Sequence, residues 1–144
     1  MTDNALTQHL DLKVKPDLSS ASQTLEEVSE FFRKNNVDTI FADNIVLILD
    51  ELETNCINYG QKPGVQSSIS LDIKLSLEEV EIYLRDNGIP FDPSEVDNPD
   101  LDTPIEERKI GGLGIHLVRS LSDFFSYERI GDLNEIKIIK KRKN

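Results

Sequence analysis

The stretch that decides the fold is residues 51–60, which read ELETNCINYG. It closes a segment with apolar residues at helical spacing, and Asp38 or Thr39 can open that segment as a helix cap. Gly60 stands where a helix commonly ends. The sequence therefore predicts one long helix that finishes at Gly60.

Glu51 and Asn55 are four residues apart, so their side chains lie on the same face of this helix. A carboxamide oxygen is a hard ligand for magnesium, and a carboxylate one turn earlier can accept a proton from an attacking hydroxyl. The pair therefore suits work on a magnesium nucleotide. A polar, solvated helix face that also includes Asp50 and Glu53 is the alternative.

The sequence on either side of this helix predicts the other elements. In chain order they are a strand, a first helix, the long helix, a hairpin, a loop, a third helix and two further strands. The order β-α-α-β-β-loop-α-β-β indicates an α/β two-layer sandwich, with helices on one face of a mixed, mainly antiparallel sheet. The predicted ranges are 8–15, 18–35, 39–60, 67–77, 80–85, 92–109, 112–125, 124–130 and 134–140. The helix 112–125 includes Phe125 on its apolar face, and Asp17, Ser19 or Ser20 caps the first helix.

A second motif, RDNGIPFDP, occupies residues 85–93 at the end of a predicted strand. Asp86 carries an acceptor-only carboxylate, which suits the exocyclic amino group of adenine. Gly88 allows the backbone to approach a flat ligand closely. An ordinary strand-to-loop turn is equally compatible, because Asp-Asn-Gly is common in turns.

A third motif, GGLG at 111–114, stands directly before an amphipathic helix. Glycines at a helix entrance leave backbone N–H groups and the positive end of the dipole free for phosphate oxygens. The motif lacks the GK[ST] ending of a P-loop, and it does not follow a strand as a dinucleotide fingerprint would. A hinge is the alternative, and it is compatible with phosphate binding.

Residues 92–109 contain three prolines and many acidic residues, and they show neither the helical nor the strand periodicity of apolar residues. Loops this long inside compact domains are usually lids or binding segments. We therefore predict a lid at about 92–110 within one domain that covers residues 1–144.

Composition excludes several classes of protein. The formal net charge is −11, which disfavours nucleic acid as a partner, and the basic run KKRK at 140–143 is interpreted as a solvated tail. No apolar run is long enough to span a bilayer, the N-terminus lacks the features of a secretory signal, and a single cysteine disfavours structural zinc. Together these features predict a cytoplasmic protein that binds neither membranes nor nucleic acid.

The three motifs, in this order and placement, resemble the N box and the two glycine boxes of the GHKL ATPase superfamily, which includes gyrase and the histidine kinases. Within it, ELETNCINYG, DNGIPFDP and IGGLGIHLVRSLSD are most similar to the anti-sigma factor serine kinases. The resemblance covers essentially the whole chain. It implies a Bergerat-type fold that binds Mg-ATP between the long helix and the lid.

The resemblance also implies a role for each matching residue. Glu51 would be the catalytic carboxylate, Asn55 the Mg²⁺ ligand, Asp86 the acceptor for the adenine amino group, and Gly88 the shaper of the adenine pocket. The rest of the implied ATP site comprises Phe91, Arg108, Gly111, Gly112, Leu113 and Gly114.

Two departures from the family pattern concern the lid. Some members carry an arginine where this chain has Ile110, and here Arg108 and Lys109 are close enough to serve a γ-phosphate if the lid folds over. The acidic segment 92–109 is unlike the lid of the sporulation kinases, so the identity of the partner does not carry over. His9 falls in a predicted strand and His116 in a helix, so neither is placed as a phosphorylated histidine.

The implied function is an ATP-dependent serine kinase that phosphorylates a small anti-sigma factor antagonist. Such kinases often bind a sigma factor as well and often form homodimers. A nucleotide-gated module that only sequesters a partner is the alternative, and a stand-alone ATPase is a weaker third interpretation.

Overall fold

The computed structural model describes residues 7–92 and 112–143. Eight elements follow one another in the predicted order. They are β1 (Gln8–Val14), α1 (Leu18–Lys34), α2 (Thr39–Tyr59), β2 (Ile69–Leu75), β3 (Glu79–Asp86), α3 (Gly112–Leu121), β4 (Phe124–Ile130) and β5 (Leu133–Lys141).

The five strands form one sheet in the order β1-β2-β3-β5-β4. All four pairings are antiparallel, so the parallel component that a mixed sheet would contain is not found among these strands. The cause is that β4 and β5 form a hairpin whose second strand, β5, lies against β3. This pairing aligns Asp86, the last residue of β3, with Asn134 near the start of β5.

Capping side chains set the starts of the first two helices as the sequence predicts. The Asp17 carboxylate accepts a hydrogen bond from the Ser20 backbone N–H at 2.7 Å. Asp38 does the same for the Phe41 N–H at 3.1 Å. Each bond satisfies a backbone donor that has no partner within its helix.

The core lies between the helices and one face of the sheet. Alternate residues of β2 and β3 are buried, as expected for strands with one covered face. The buried apolar side chains of the three central strands are Ile69, Leu71, Ile73, Leu75, Val80, Ile82, Leu84, Ile136 and Ile138. Those of the helices are Ala21, Val28, Phe32, Ile45, Ile48, Leu49, Leu52, Ile57, Ile115 and Val118.

The prediction of a helix over 112–125 is wrong at its end. Helix α3 stops at Leu121, and Phe125 belongs to β4. The chain already pairs with β5 at Asp123, whose N–H donates to the Ile139 carbonyl at 2.9 Å and whose carboxylate accepts from the Lys141 N–H at 2.6 Å. These bonds to the sheet replace the bonds that a longer helix would make.

The hairpin of β2 and β3 is confirmed, but its first strand is shorter than predicted. Strand β2 ends at Leu75 because the Ser76 hydroxyl accepts hydrogen bonds from the backbone N–H groups of Glu78 and Glu79. The Glu79 carbonyl in turn accepts the Ser76 N–H at 3.0 Å. The turn therefore comprises residues 76–78, and it begins earlier and is one residue longer than the alternation alone indicated.

The interpretation of KKRK as a free tail is also wrong. Lys140 and Lys141 belong to β5, and the Arg142 N–H donates to the Glu78 carbonyl at 2.8 Å. The Arg142 guanidinium donates to the Ser76 carbonyl at 2.6 Å. The basic run thus continues the sheet and joins the turn between β2 and β3.

Two predictions concern features beyond these elements. Most of the predicted lid, residues 93–110, lies outside the described residues. In the ranges that the structure describes, no helix is both long enough and apolar enough to cross a membrane.

Glu53 is a fully buried carboxyl group in α2. Neither of its carboxylate oxygens has a hydrogen-bond partner. It follows Glu51 by two residues, about 200° around the helix. Glu53 therefore does not share the face of α2 on which Glu51 contacts α3. Burial, reinforced by the negative charge of Asp50, raises the pKa of Glu53 from 4.5 to about 8.

This raised pKa predicts a stability that falls as pH rises. The folded state retains the Glu53 proton that the unfolded chain releases above 4.5, so the stability is greatest below 4.5 and declines up to about pH 8. Glu53→Gln should flatten this decline, as measured by urea unfolding from pH 5 to 8. Glu53→Leu should flatten it and also raise the unfolding free energy by about 1–3 kcal/mol, because no unpartnered polar group remains.

Glu27→Gln is the matched control, since Glu27 is exposed on α1. Its pH profile should follow that of the unsubstituted protein. If the unfolding free energies of the unsubstituted protein and of Glu53→Gln changed equally with pH, the prediction would be refuted.

Candidate functional site

Glu51 of α2 and Gly114 of α3 are in close contact. A Cβ atom on Gly114 would overlap the Glu51 carboxylate, so a side chain at this position would require that carboxylate to move. Gly114 is the third residue of α3, so the carboxylate lies against the first turn of that helix. The structure thus brings together the N-box acid and the glycine run, which are 60 positions apart in the sequence.

Asn55 lies one turn after Glu51, and its side chain is half-buried. Its Nδ2 is buried and has no hydrogen-bond partner. Asn55 also lines a small cavity of about 20 Å³ between α2 and the ends of β3 and β5. A buried amide without a partner is costly, so this group is suited to a partner that the protein does not supply.

Asp86 ends β3, and its side chain is buried. Its Oδ1 accepts the Gly88 N–H at 2.8 Å and the Asn134 Nδ2–H at 3.0 Å. Among the described residues, its Oδ2 accepts one weak hydrogen bond, from the Cys56 thiol, with an S···O distance of 3.5 Å. The protein's own donors therefore occupy Oδ1, whereas Oδ2 can accept a further hydrogen bond.

Gly88 and Gly60 bring the end of β3 against the end of α2. A Cβ atom on Gly88 would lie 2.0 Å from the Gly60 carbonyl oxygen, which is a backbone atom. The same oxygen accepts the Ile89 N–H at 2.8 Å. Gly88 is thus required by a close backbone approach, and the predicted role of shaping a pocket fits its position beside Asp86.

Asn134 is a site residue that sequence reasoning missed, although it opens the predicted strand 134–140. It is 4% exposed at the start of β5. Besides bonding to Asp86, its Nδ2 donates to the Ile89 carbonyl at 2.8 Å. Its Oδ1 accepts from the Tyr127 hydroxyl at 2.6 Å and from Arg129 Nη1 at 3.2 Å. A strand-initial Asn after a glycine turn is common, so no local signal pointed to it.

Cys56 is the second residue that was missed. It lines the cavity together with Asp86 and Asn134. Burial, with the adjacent Asp86 carboxylate as the next cause, raises the pKa of the Cys56 thiol well above its usual value. The thiol therefore keeps its proton and acts as a weak donor.

Of the remaining predicted site residues, some lie in the described part of the chain and some lie outside it. Phe91 lines the cavity, and its N–H lies 3.4 Å from Oδ1 of Asn134. Gly112 and Leu113 are the first two residues of α3. Arg108 and Gly111 lie outside the described residues, so their roles stay predictions.

The arrangement fits a nucleotide in three respects. Asp86 offers an acceptor oxygen in an apolar cavity, Asn55 has an unpartnered amide, and α3 presents a helix start without side chains at Gly112 and Gly114. Phosphates bind at such helix starts because N–H groups and the dipole converge there. Fold and site together define the class of nucleotide-binding α/β sandwich ATPase domains.

The comparison with family models places the chain within this class. The model described as the histidine kinase-like ATPase domain matches residues 14–140. The chain therefore belongs to the histidine kinase-like ATPase domain family, and nucleotide binding is the property that this membership implies.

Curated relatives with the same domain are protein kinases by name. The chain is 28% identical over 94 residues to the serine/threonine-protein kinase BtrW of Bordetella bronchiseptica, which covers 65% of this chain and 66% of the relative. It is 29% identical over 85 residues to the serine-protein kinase RsbW of Bacillus cereus, covering 56% of this chain and 52% of the relative. The matched regions thus span about half to two thirds of these relatives.

Solved structures support the fold alone. The RsbU and RsbW domains of a Mycobacterium tuberculosis protein superpose with a TM-score of 0.67 at 13% identity, over 94% of this chain and 33% of that one. A histidine kinase domain of a blue-light activated kinase from Erythrobacter litoralis gives 0.55 at 17% identity, over 85% and 59%. The predicted sandwich fold is confirmed.

The close approach at Gly88 predicts that one added methyl group lowers both the stability of the protein and its affinity for ATP. Gly88→Ala should lower the unfolding free energy by about 2 kcal/mol or more, because backbone must move to admit the Cβ, and it should weaken ATP binding at least tenfold. Thermal unfolding and calorimetric titration with ATP measure both effects.

Gly64→Ala is the matched control, because a Cβ there would meet no atom within 4 Å. Its φ of 77° makes alanine strained, so a loss of about 1–2 kcal/mol is expected without a change in ATP affinity. Equal effects of the two substitutions on ATP affinity would contradict the assigned role of Gly88.

Proposed function

We propose that this protein is an ATP-dependent serine kinase whose substrate is a small anti-sigma factor antagonist protein. The observation that carries the proposal is the contact between Glu51 and Gly114, with the unpartnered amide of Asn55 one turn away. This contact supports the proposal because the acid lies against the first turn of a helix, where phosphates commonly bind.

The chain's own residues would divide the work as follows. The Glu51 carboxylate accepts the proton of the attacking serine hydroxyl, the usual role of a base in phosphoryl transfer. The amide oxygen of Asn55 would hold Mg²⁺, and the Oδ2 atom of Asp86 would accept the adenine amino group. When bound, Mg-ATP would supply the γ-phosphoryl group and leave as ADP, and the metal charge would neutralise the phosphate oxygens.

The choice of substrate rests on similarity. BtrW and RsbW are named serine or serine/threonine kinases, and the motifs of this chain resemble those of anti-sigma factor kinases. The same similarity supports a sigma factor as a second partner, a homodimer as the assembly and the cytoplasm, where ATP is available, as the location. It supports neither membrane nor nucleic acid as a partner, in keeping with the net charge of −11.

Replacement of the proposed base should separate chemistry from binding. Glu51→Gln should retain ATP affinity within a fewfold and lower phosphotransfer by about 10²-fold or more, the scale of a lost general base. Phosphoserine on candidate antagonist domains is measured by mass spectrometry, and ATP affinity by calorimetry.

Glu26→Gln, on the exposed side of α1, is the control and should leave both quantities unchanged. If the unsubstituted protein binds ATP but transfers phosphate to no cognate antagonist, the kinase proposal fails. A partner pull-down that then responds to nucleotide would favour the sequestering module instead.

The metal role of Asn55 predicts a loss that depends on magnesium. Asn55→Ala should weaken ATP binding about tenfold or more with Mg²⁺ present and much less in EDTA, because only the metal-bound complex loses a ligand. Fluorescence titration with and without Mg²⁺ measures the difference. An equal loss under both conditions would mean that Asn55 does not bind the metal.

A further inference from the structure

A groove of about 680 Å³ lies between the first turns of α2 and the last residues of β5. One wall includes Ile40, and the other is formed by residues 140–143, which read KKRK. A helix rises about 1.5 Å per residue, so Ile40 lies roughly 22 Å from Asn55 along α2. The basic run is likewise at the end of β5 that is farther from Asn134. This basic groove is therefore separate from the candidate nucleotide site.

The basic groove concentrates positive charge on a protein that is strongly acidic as a whole. The formal net charge of the chain is −11, yet four of the described residues that line the groove are basic and only Asp38 is acidic. The Asp38 carboxylate already accepts the Phe41 N–H at 3.1 Å as the cap of α2. A positive patch on a negative surface attracts an acidic partner to that patch and repels it elsewhere.

Two of the four cations hold the groove in shape. Nζ of Lys140 donates to the Leu121 carbonyl at 2.7 Å and lies 5.7 Å from the centroid of the Phe41 ring. The Arg142 guanidinium donates to the Ser76 carbonyl at 2.6 Å. These bonds fix the wall of the groove to the end of α3 and to the turn between β2 and β3.

The other two cations and one apolar side chain can contact a partner. Lys141 and Lys143 are exposed, and neither ammonium group forms a hydrogen bond or a salt bridge with another described residue. Ile40 is 73% exposed, the largest value among the large apolar side chains that the structure describes. An apolar anchor with charged groups beside it is the usual composition of a protein docking site.

We propose that the basic groove docks an acidic segment of a partner protein, whose carboxylates pair with Lys141 and Lys143 while an apolar side chain covers Ile40. The inference goes beyond the proposed kinase function and does not depend on it, because the groove shares no lining residue with the cavity beside Asp86. Nucleic acid fits the groove less well, since its phosphates gain nothing from Ile40 and the net charge of −11 repels them.

The test measures binding of fluorescein-labelled acidic peptides by fluorescence anisotropy, without nucleotide. The peptides carry aspartate and glutamate around one leucine, whose position differs from one peptide to the next. We expect at least one peptide to bind. Replacement of its leucine by alanine, or of its carboxylates by amides, should weaken binding about fivefold or more.

Reversal of charge on the protein should have the matching effect. Lys141→Glu combined with Lys143→Glu should weaken binding of this peptide about tenfold at low salt and less at high salt, because exposed ion pairs are screened. Lys13→Glu combined with Lys15→Glu is the matched control, since both of these lysines are exposed and the net charge changes equally. It should leave the affinity within about twofold, since these lysines do not line the groove.

The apolar contact has its own pair of variants. Ile40→Ser should weaken binding about threefold to fivefold, the scale of partial burial of one apolar side chain. Leu18→Ser should have no effect, although Leu18 is also an exposed apolar residue in the first turn of a helix. All substituted side chains are exposed, and circular dichroism checks folding. The altered peptides decide the question if a variant does not fold.

Three results would overturn the inference. The first is that no acidic peptide binds the unsubstituted protein, or that the control variants lose as much affinity as the groove variants. The second is that single-stranded DNA of equal charge binds as tightly and is insensitive to Ile40→Ser, which would assign the groove to nucleic acid. The third is self-association in sedimentation velocity that the Lys141 and Lys143 substitutions abolish, which would assign the groove to a second copy of this chain. None of these results bears on ATP binding, so the proposed function is tested separately.

Discussion

The backbone contact between Gly60 and Gly88 is the constraint on which the site depends. The Gly60 carbonyl oxygen occupies the space of a Gly88 side chain and accepts the Ile89 N–H. It joins the last turn of α2 to the first residues after β3. The positions of Glu51 and Asn55 on α2 are therefore fixed relative to Asp86, although 30 or more residues separate them in the sequence.

Helix α2 can hold this position because its other face is part of the core. Ile48 and Leu52 are buried at helical spacing, so the helix cannot roll without exposing them. Burial of each such side chain is worth roughly 1.5–3 kcal/mol. The packing that stabilises the fold is thus also what aims Glu51 at Gly114.

The sequence predicted most of this arrangement, because its signals were local. Helical spacing placed Glu51 and Asn55 on one face, and a glycine run before an amphipathic segment placed Gly114 at a helix start. Asn134 could not be found in this way. Its role arises from the register that pairs it with Asp86, which is 48 positions earlier in the chain.

The boundary errors have a related cause. Residues 122–125 continue a helical pattern, yet the bonds of Asp123 to β5 end the helix at Leu121. The basic run at 140–143 is polar enough for a tail, but Arg142 finds carbonyl partners in the turn between β2 and β3. In both cases a long-range backbone pairing, which no window of sequence contains, overrode a local preference.

Two residues of α2 carry buried polar atoms without partners, and they differ in what can satisfy them. Asn55 borders the cavity beside Asp86, so a bound ligand can reach its amide. Glu53 is not among the residues that line this cavity, and its carboxyl stays protonated near neutral pH because its pKa is about 8. A ligand in the cavity can therefore offset the cost of burying the Asn55 amide, whereas loss of its charge is what limits the cost of burying Glu53.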